Sequence, residues 1–273
     1  MIKLAYLVSH PIQYQAPLLR LISEHPDIDL TVFFCSNISI DRFVDPEFRH
    51  AISWDTPIVE GYKHQFLPTI GSSNILGFFR PVVYGLRERL LIDKYDALWV
   101  HGWGHWSHIY AIETAHRMGI KVLLRGEANL HLESTSGIKT LAKAGFMRWL
   151  VSRTDQFLTI GSRNKKFYLQ YGVAATRLHH MPYAVDNGFF QAVSQEASRV
   201  REQFRSSVGL EAGRPIILYA SKMTERKRAG DLLEAYIRLS PDGQKEPKPY
   251  LLFIGDGEMK SALKRRSAEL GWG

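Results

Sequence analysis

Two lysines five residues apart, Lys222 and Lys227, stand in the run Ser221-Lys222-Met223-Thr224-Glu225-Arg226-Lys227-Arg228, directly after the apolar stretch 216–220. A short apolar run bounded by polar residues reads as a buried strand, and the helix-period pattern from Ala229 onward reads as a helix. Two ammonium groups between a strand and a helix N-terminus make an anion site. They would neutralise a diphosphate, and the unpaired N–H groups of the helix favour the same charge. Solvated surface lysines are the plainer account of the same residues. The next strand, 250–254, ends in Gly255-Asp256-Gly257-Glu258. Glycines there let the backbone approach a ligand closely; a plain tight turn explains the pair equally well.

The elements that must hold such a site follow from the rhythm of the chain. Strand-like runs at 2–8, 30–35, 64–67, 97–100, 121–124, 156–160, 178–181, 216–220 and 250–254 alternate with helical patterns. The helices fall at 17–24, 82–93, 107–118, 138–152, 163–171 and 229–239. Strand followed by helix, repeated, means βαβ units and a parallel sheet covered on both faces, with ligands outside the carboxyl ends of the strands. The segment 35–65, with Asp45-Pro46, Thr56-Pro57 and Gly61, reads as an irregular loop. A break at Met181-Pro182-Tyr183-Ala184-Val185-Asp186-Asn187-Gly188, followed by a polar helix from about 194 to 207, sets a domain boundary: 1–185 and 186–273. The polar, Pro-rich stretch 242–249 only joins a helix to a strand.

Composition narrows the class. Of 273 residues, 45% are hydrophobic, 12% aromatic and 23% charged, which excludes a disordered tail and a membrane bundle. The lone Cys35 excludes an intramolecular disulfide and a cysteine zinc site and suits a reducing compartment. It reads as a small buried residue rather than a nucleophile. The N-terminal apolar run is too short for a secretory signal, and none approaches the roughly 18 residues that span a bilayer. The expected location is cytoplasmic. A net charge of +8 and a pI near 9.5 favour anionic partners: nucleotides, phosphorylated substrates, nucleic acid or an acidic membrane surface.

Three pieces in order, the linker Met181-Pro182-Tyr183-Ala184-Val185-Asp186, the loop Ser221 to Lys227, and Ile254-Gly255-Asp256-Gly257-Glu258 with its following helix, resemble the second domain of retaining, glycogen-synthase-like glycosyltransferases of the GT-B fold, often called family 4. The N-terminal opening Ala5-Tyr6-Leu7-Val8-Ser9-His10-Pro11 is similar to members of this group as well. The resemblance implies an α/β chain of two Rossmann-like parallel-sheet domains facing a cleft. The first would hold the acceptor and the second a nucleotide-diphosphate sugar. Lys222 and Lys227 fall on the family's cationic pair, so they would stabilise the leaving diphosphate, with Ser221, Gly255, Asp256 and Gly257 beside it. Fixed cations serve such a transition state better than the ground state. No metal and no cofactor is implied, the nucleotide sugar being a co-substrate.

In the first domain the resemblance directs attention to three loops. His10, Gln13 and Tyr14 follow the first strand where the family places a loop contacting donor and acceptor; they offer hydrogen bonds to sugar hydroxyls, or simply cap the sheet. His101-Gly102-Trp103-Gly104-His105-Trp106-Ser107-His108 follows the fourth strand. Three histidines at spacings of four and three invite a metal reading, but the glycines break any single helical face and no Glu stands between them. His101 and Trp103 are better read as sugar contacts, or as an aromatic helix start packed on the sheet. Many relatives carry His-Gly after the fifth strand, whereas this chain has Arg125-Gly126-Glu127. Arg125 would grip a phosphate or carboxylate and Glu127 a sugar hydroxyl or an acceptor proton; an ion pair between them accounts for both equally. His179 and His180 read as structural.

The stretch 74–80 and the helix around Lys139, Lys143, Phe146, Arg148 and Trp149 mix basic and aromatic residues. Peripheral contact with an anionic membrane, suiting a lipid-linked acceptor, is one account; ordinary helix packing is the other. No nucleic-acid-binding module is evident. The functional expectation is transfer of a sugar from a nucleotide diphosphate to a glycan, lipid-linked or small-molecule hydroxyl with retained configuration. The competing expectation is a catalytically incomplete GT-B chain that binds a phosphate ligand or a protein. The family's Glu-x7-Glu segment is absent up to Gly273, so the chain reads as a fragment whose second domain is truncated.

Overall fold

The computed structural model describes residues 1–40, 43–44, 51–52, 54, 56–72, 76–129, 138–239 and 248–272. Elements follow in the order β1 (Ile2–Val8), α1 (Ala16–Ser23), β2 (Ile28–Phe34), β3 (Phe43–Val44), β4 (Ala51–Ile52), β5 (Lys63–Phe66), β6 (Thr69–Ile70), β7 (Val82–Val83) and α2 (Leu86–Asp93). They continue with β8 (Ala97–His101), α3 (Trp106–Arg117), β9 (Lys121–Arg125), α4 (Ile138–Arg153), β10 (Gln156–Thr159), α5 (Ser162–Gln170) and β11 (Leu178–His180). The remainder is α6 (Asn187–Ser207), β12 (Ile216–Ala220), α7 (Ala229–Arg238), β13 (Tyr250–Ile254) and α8 (Lys260–Glu269). Two compact units result: Met1–Asp41 with Ser53–Asp186, and Arg42–Ile52 with Asn187–Gly273.

In the first unit seven strands form one sheet in the order β11-β10-β9-β8-β1-β2-β5, and every ladder in it is parallel. Sequence pattern explains the centre. β1 is apolar without interruption after Lys3, as a strand covered on both faces requires, and Ala5, Tyr6, Leu7 and Val8 are each at most 1% exposed. Their alternation feeds two cores: Ala5 and Leu7 pack with Leu98, Val122 and Leu124, while Tyr6 and Val8 pack with Trp99 and with Ala16 and Leu19 of α1. Each such large apolar side chain contributes about 1.5–3 kcal/mol on burial. Connections leave β1 and β8 in opposite directions along the sheet, so a crevice opens at the carboxyl ends of these neighbours, the position where open α/β sheets bind ligands.

Three predicted elements change. The helix expected over 82–93 begins at Leu86, because Gly85 takes a left-handed conformation (φ 79) immediately before it, and Val82–Val83 instead pair antiparallel with Thr69–Ile70. Helix α6 starts at Asn187 rather than near 194 and has no buried residue. Asn187-Gly188 reads as a turn in sequence, yet both residues are well tolerated at a helix start. Inside the expected loop 35–65 a short antiparallel pair forms, Phe43–Val44 with Ala51–Ile52.

The second unit contains β12 and β13 paired in parallel, with Met223, Ala229, Leu233 and Leu263 as its core. Among the described residues no helix is long and apolar enough to cross a membrane. Asn74 and Ile75, the side chain of Lys139 and residues 242–247 lie outside the described residues.

Candidate functional site

At the crevice of the first unit, strand period and register decide which side chains meet. Trp99 and His101 share one face of β8, as Leu123 and Arg125 share one face of β9, and His101 is the register partner of Arg125. These two residues line a cavity of about 490 Å³ together with Tyr14, Trp103, His105 and Glu127. Five of the first-domain residues singled out in the sequence are therefore brought together: Tyr14, His101, Trp103, Arg125 and Glu127. His10 and Gln13 are not in its lining. His10 bonds through Nδ1 to Ser9 at 2.9 Å, and Gln13 donates to Thr56 Oγ1 at 3.4 Å.

His101 is held by residues that carry no sequence signal. The Tyr6 hydroxyl donates to Gln15 Oε1 at 2.9 Å and lies 2.9 Å from His101 Nδ1. One hydroxyl has one hydrogen, so Nδ1–H of the histidine donates to the Tyr6 oxygen, and the Nε2 lone pair accepts from the Gln15 amide nitrogen at 3.3 Å. Burial, then the charge of Arg125, then His10 bring the His101 pKa down to about 4. The imidazole is neutral at physiological pH, a hydrogen-bonding group and a weak base.

Trp103 stacks on Phe167 at 6.4 Å with the planes 13° apart. It can do so because residue 126 is glycine: a Cβ there would stand 2.2 Å from the Trp103 ring. The loop carrying Glu127 is tied by Asn164, whose side chain donates to the Ala128 carbonyl at 2.7 Å and accepts from the Ile160 N–H at 3.2 Å. Glu127 accepts from the Tyr183 hydroxyl, and the Tyr183 ring covers Arg125, 4.4 Å from its guanidinium carbon. Among the described residues there is no Arg125–Glu127 ion pair; Tyr183 stands between the two roles.

In the histidine series the His105 and His108 rings pack edge to face at 5.1 Å, but their Nδ1 atoms turn to the backbone. His105 Nδ1 lies 2.7 Å from the Gly77 carbonyl and His108 Nδ1 lies 3.2 Å from that of Gly102. Burial first, then His105, lowers the His108 pKa to about 3. Among the described residues no group of three or more His, Cys, Asp or Glu could hold a metal ion. Cys35 is 2% exposed, and burial pushes its thiol up to about 12, which disables it as a nucleophile.

In the second unit the lysine loop and the glycine turn are zipped together. Ser221 N–H donates to the Ile254 carbonyl at 3.1 Å, Met223 N–H to that of Asp256 at 2.7 Å, and Met259 N–H returns to Met223 at 2.9 Å. This is what Gly255 and Gly257 permit. A Cβ on Gly255 (φ 146) would fall 2.0 Å from the Ser221 carbonyl oxygen, and one on Gly257 (φ 143) 2.7 Å from that of Met223. Asp256 is engaged locally: it accepts from Gly257 N–H at 2.7 Å and from Lys260 Nζ at 2.5 Å.

The lysines are positioned by neighbours the sequence did not flag. Met223, 4% exposed, anchors the loop in the core, and the Tyr219 hydroxyl donates to the Lys222 carbonyl at 2.9 Å. Lys227 closes a 3-10 turn, Glu225–Lys227, and is exposed. Helix α7 begins two residues later, after Arg228 in a left-handed conformation (φ 57). Lys227 thus stands two residues ahead of the helix proper.

No family model matches the chain, and no curated protein matches it. Solved structures do. HepE of Anabaena in complex with UDP is similar at 12% identity with a TM-score of 0.63, over 99% of this chain and 66% of that one. A glycosyltransferase of Rickettsia africae is similar at 12% identity and TM-score 0.63, over 98% and 64%. The UDP-GlcNAc 2-epimerase of Neisseria meningitidis bound to UDP-GlcNAc reaches 14% identity and TM-score 0.50, over 97% and 76%. At such identities the likeness shows the fold, α/β of the GT-B type, and the chain spans about two thirds of the length of the first two structures.

Proposed function

We propose that this chain is the acceptor-holding unit and part of the donor-holding unit of a nucleotide-sugar glycosyltransferase, of the retaining, glycogen-synthase-like group. The observation that carries the reading is the zipped pair of loops after β12 and β13, which fixes the backbone of Lys222 beside Gly255 and Gly257. The fold likeness to a UDP-bound protein and to a glycosyltransferase supports it.

The bond between the anomeric carbon and the diphosphate oxygen breaks, and one from that carbon to the acceptor oxygen forms. Negative charge grows on the departing diphosphate while the sugar becomes oxocarbenium-like. Lys222 and Lys227 meet that charge without a proton changing hands, an electrostatic role that counts for more in the transition state than before it. Neutral His101, held by Tyr6 and Gln15, offers its ring to the sugar as part of the cavity wall; at a pKa of about 4 it orients rather than deprotonates. Glu127 lines the cavity, and in this reading its carboxylate receives the acceptor proton.

The test is sugar transfer and donor hydrolysis by the protein as encoded, across a panel of nucleotide-diphosphate sugars. Lys222→Ala and Lys227→Ala should each lower kcat about a hundredfold, the scale of removing one preorganised charge donor. Unchanged rates in both variants refute the assignment. Nucleotide binding without transfer to any acceptor would instead select the alternative, a binding chain.

A further inference from the structure

Arg125 ends β9, is 2% exposed, and lines the first-unit cavity. Among the described residues its Nε and Nη2 have no hydrogen-bond partner. A buried cation without a partner is costly, because it has surrendered its hydration for nothing. Tyr183 compensates in part: its ring attracts the guanidinium through the π face. A ring face, however, accepts little from N–H bonds that lie in the guanidinium plane. Glu127 gives its carboxylate to the Tyr183 hydroxyl instead.

The two orphaned nitrogens are not an arbitrary pair. Nε and Nη2 form the edge of arginine that presents two parallel N–H bonds, the shape that meets both oxygens of a carboxylate. We propose that the cavity takes an acidic sugar unit, its carboxylate held bidentate by Arg125 and its ring among Trp103, Tyr14 and His101. This deepens the glycosyltransferase reading and rests on it for the statement that the acidic sugar belongs to the acceptor.

Charge selects carboxylate over phosphate. Arg125 is the one lysine or arginine among the described residues lining the cavity, and Glu127 lines it too, so a bound carboxylate adds one negative charge to this pair. A phosphate dianion would add two beside Glu127. The Arg125 edge is sealed from solvent, and the wall that yields on binding is the Tyr14–Tyr183 pair. These rings pack edge to face at 5.3 Å, and each is 38% exposed.

Calorimetric titration of the encoded protein with D-glucuronate, D-glucuronamide and glucose 6-phosphate tests this. Glucuronate should bind roughly tenfold or more tightly than its amide, the scale of a charge-assisted hydrogen-bond pair, and Arg125→Gln should erase the difference. Equal binding of acid and amide overturns the proposal. Tighter binding of the sugar phosphate overturns it in favour of a phosphate pocket. If Arg125→Gln does not fold, the acid and amide compared on the unaltered protein still decide. A preference for the acid in a protein that transfers no sugar would uphold the cavity and sink the transferase reading; transfer to neutral sugars without that preference would do the reverse.

Discussion

The Tyr6 hydroxyl lies 2.9 Å from His101 Nδ1 while donating to Gln15 Oε1, so a residue in the middle of β1 sets the tautomer of the residue that ends β8. Tyr6→Phe keeps the ring and removes the hydroxyl, leaving a buried amide oxygen and a ring N–H unpaired. The expected loss is about 1–3 kcal/mol of stability, read as a lower urea midpoint with an unchanged slope. An unaltered midpoint would show that the network does not fix His101.

Acid should unfold the first unit early. Burial holds His10 and His101 down at about 4 and His108 at about 3, against an ordinary value near 6.5. Between those limits the unfolded chain binds more protons than the folded one. The stabilisation is therefore complete above about pH 6.5 and is lost as pH falls through 4 and then 3, roughly 3 kcal/mol each for His10 and His101 and roughly 5 kcal/mol for His108. A thermal melt at pH 4.5 should lie well below that at pH 7, and equal melting temperatures would contradict these environments.

Three glycines separate close approach from mere turn chemistry. Gly255→Ala would drive a Cβ to 2.0 Å from a carbonyl oxygen and should cost roughly 2–4 kcal/mol, parting the lysine loop from its partner turn. Gly126→Ala meets the Trp103 ring at 2.2 Å and should displace that ring, visible as changed tryptophan fluorescence. Gly145, in α4, has open space where a Cβ would stand and is the control: alanine there should stabilise by about 0.5–1 kcal/mol. Equal effects at 145 and 255 in chemical denaturation would refute the close-approach account.

What the sequence made legible was what repeats or punctuates. The nine principal strands among the described residues follow from short apolar runs between polar segments, and the two loops zipped together after β12 and β13 from their place after such runs. Tyr6, Gln15, Asn164, Tyr183 and Tyr219 could not be found that way. Each is an ordinary core or loop residue by type, and acts through a partner between 3 and 95 positions away. The same holds for Gly255 and Gly257. Sequence suggests room for a ligand, whereas the structure uses the missing side chains first to let two loops touch. Helix α2 is shorter than its pattern suggests because Val82 and Val83 fit a helical stripe as well as a two-residue strand, and only the partner strand at Thr69–Ile70 decides.

The central claim is that Lys222 and Lys227 hold a nucleotide diphosphate. Titration of UDP into the encoded protein, alongside Lys222→Ala and Lys227→Ala, tests it most directly. Saturable binding at one site, weakened roughly tenfold or more by each substitution, is the predicted result. UDP affinity that is the same in both variants as in the unaltered protein would contradict it.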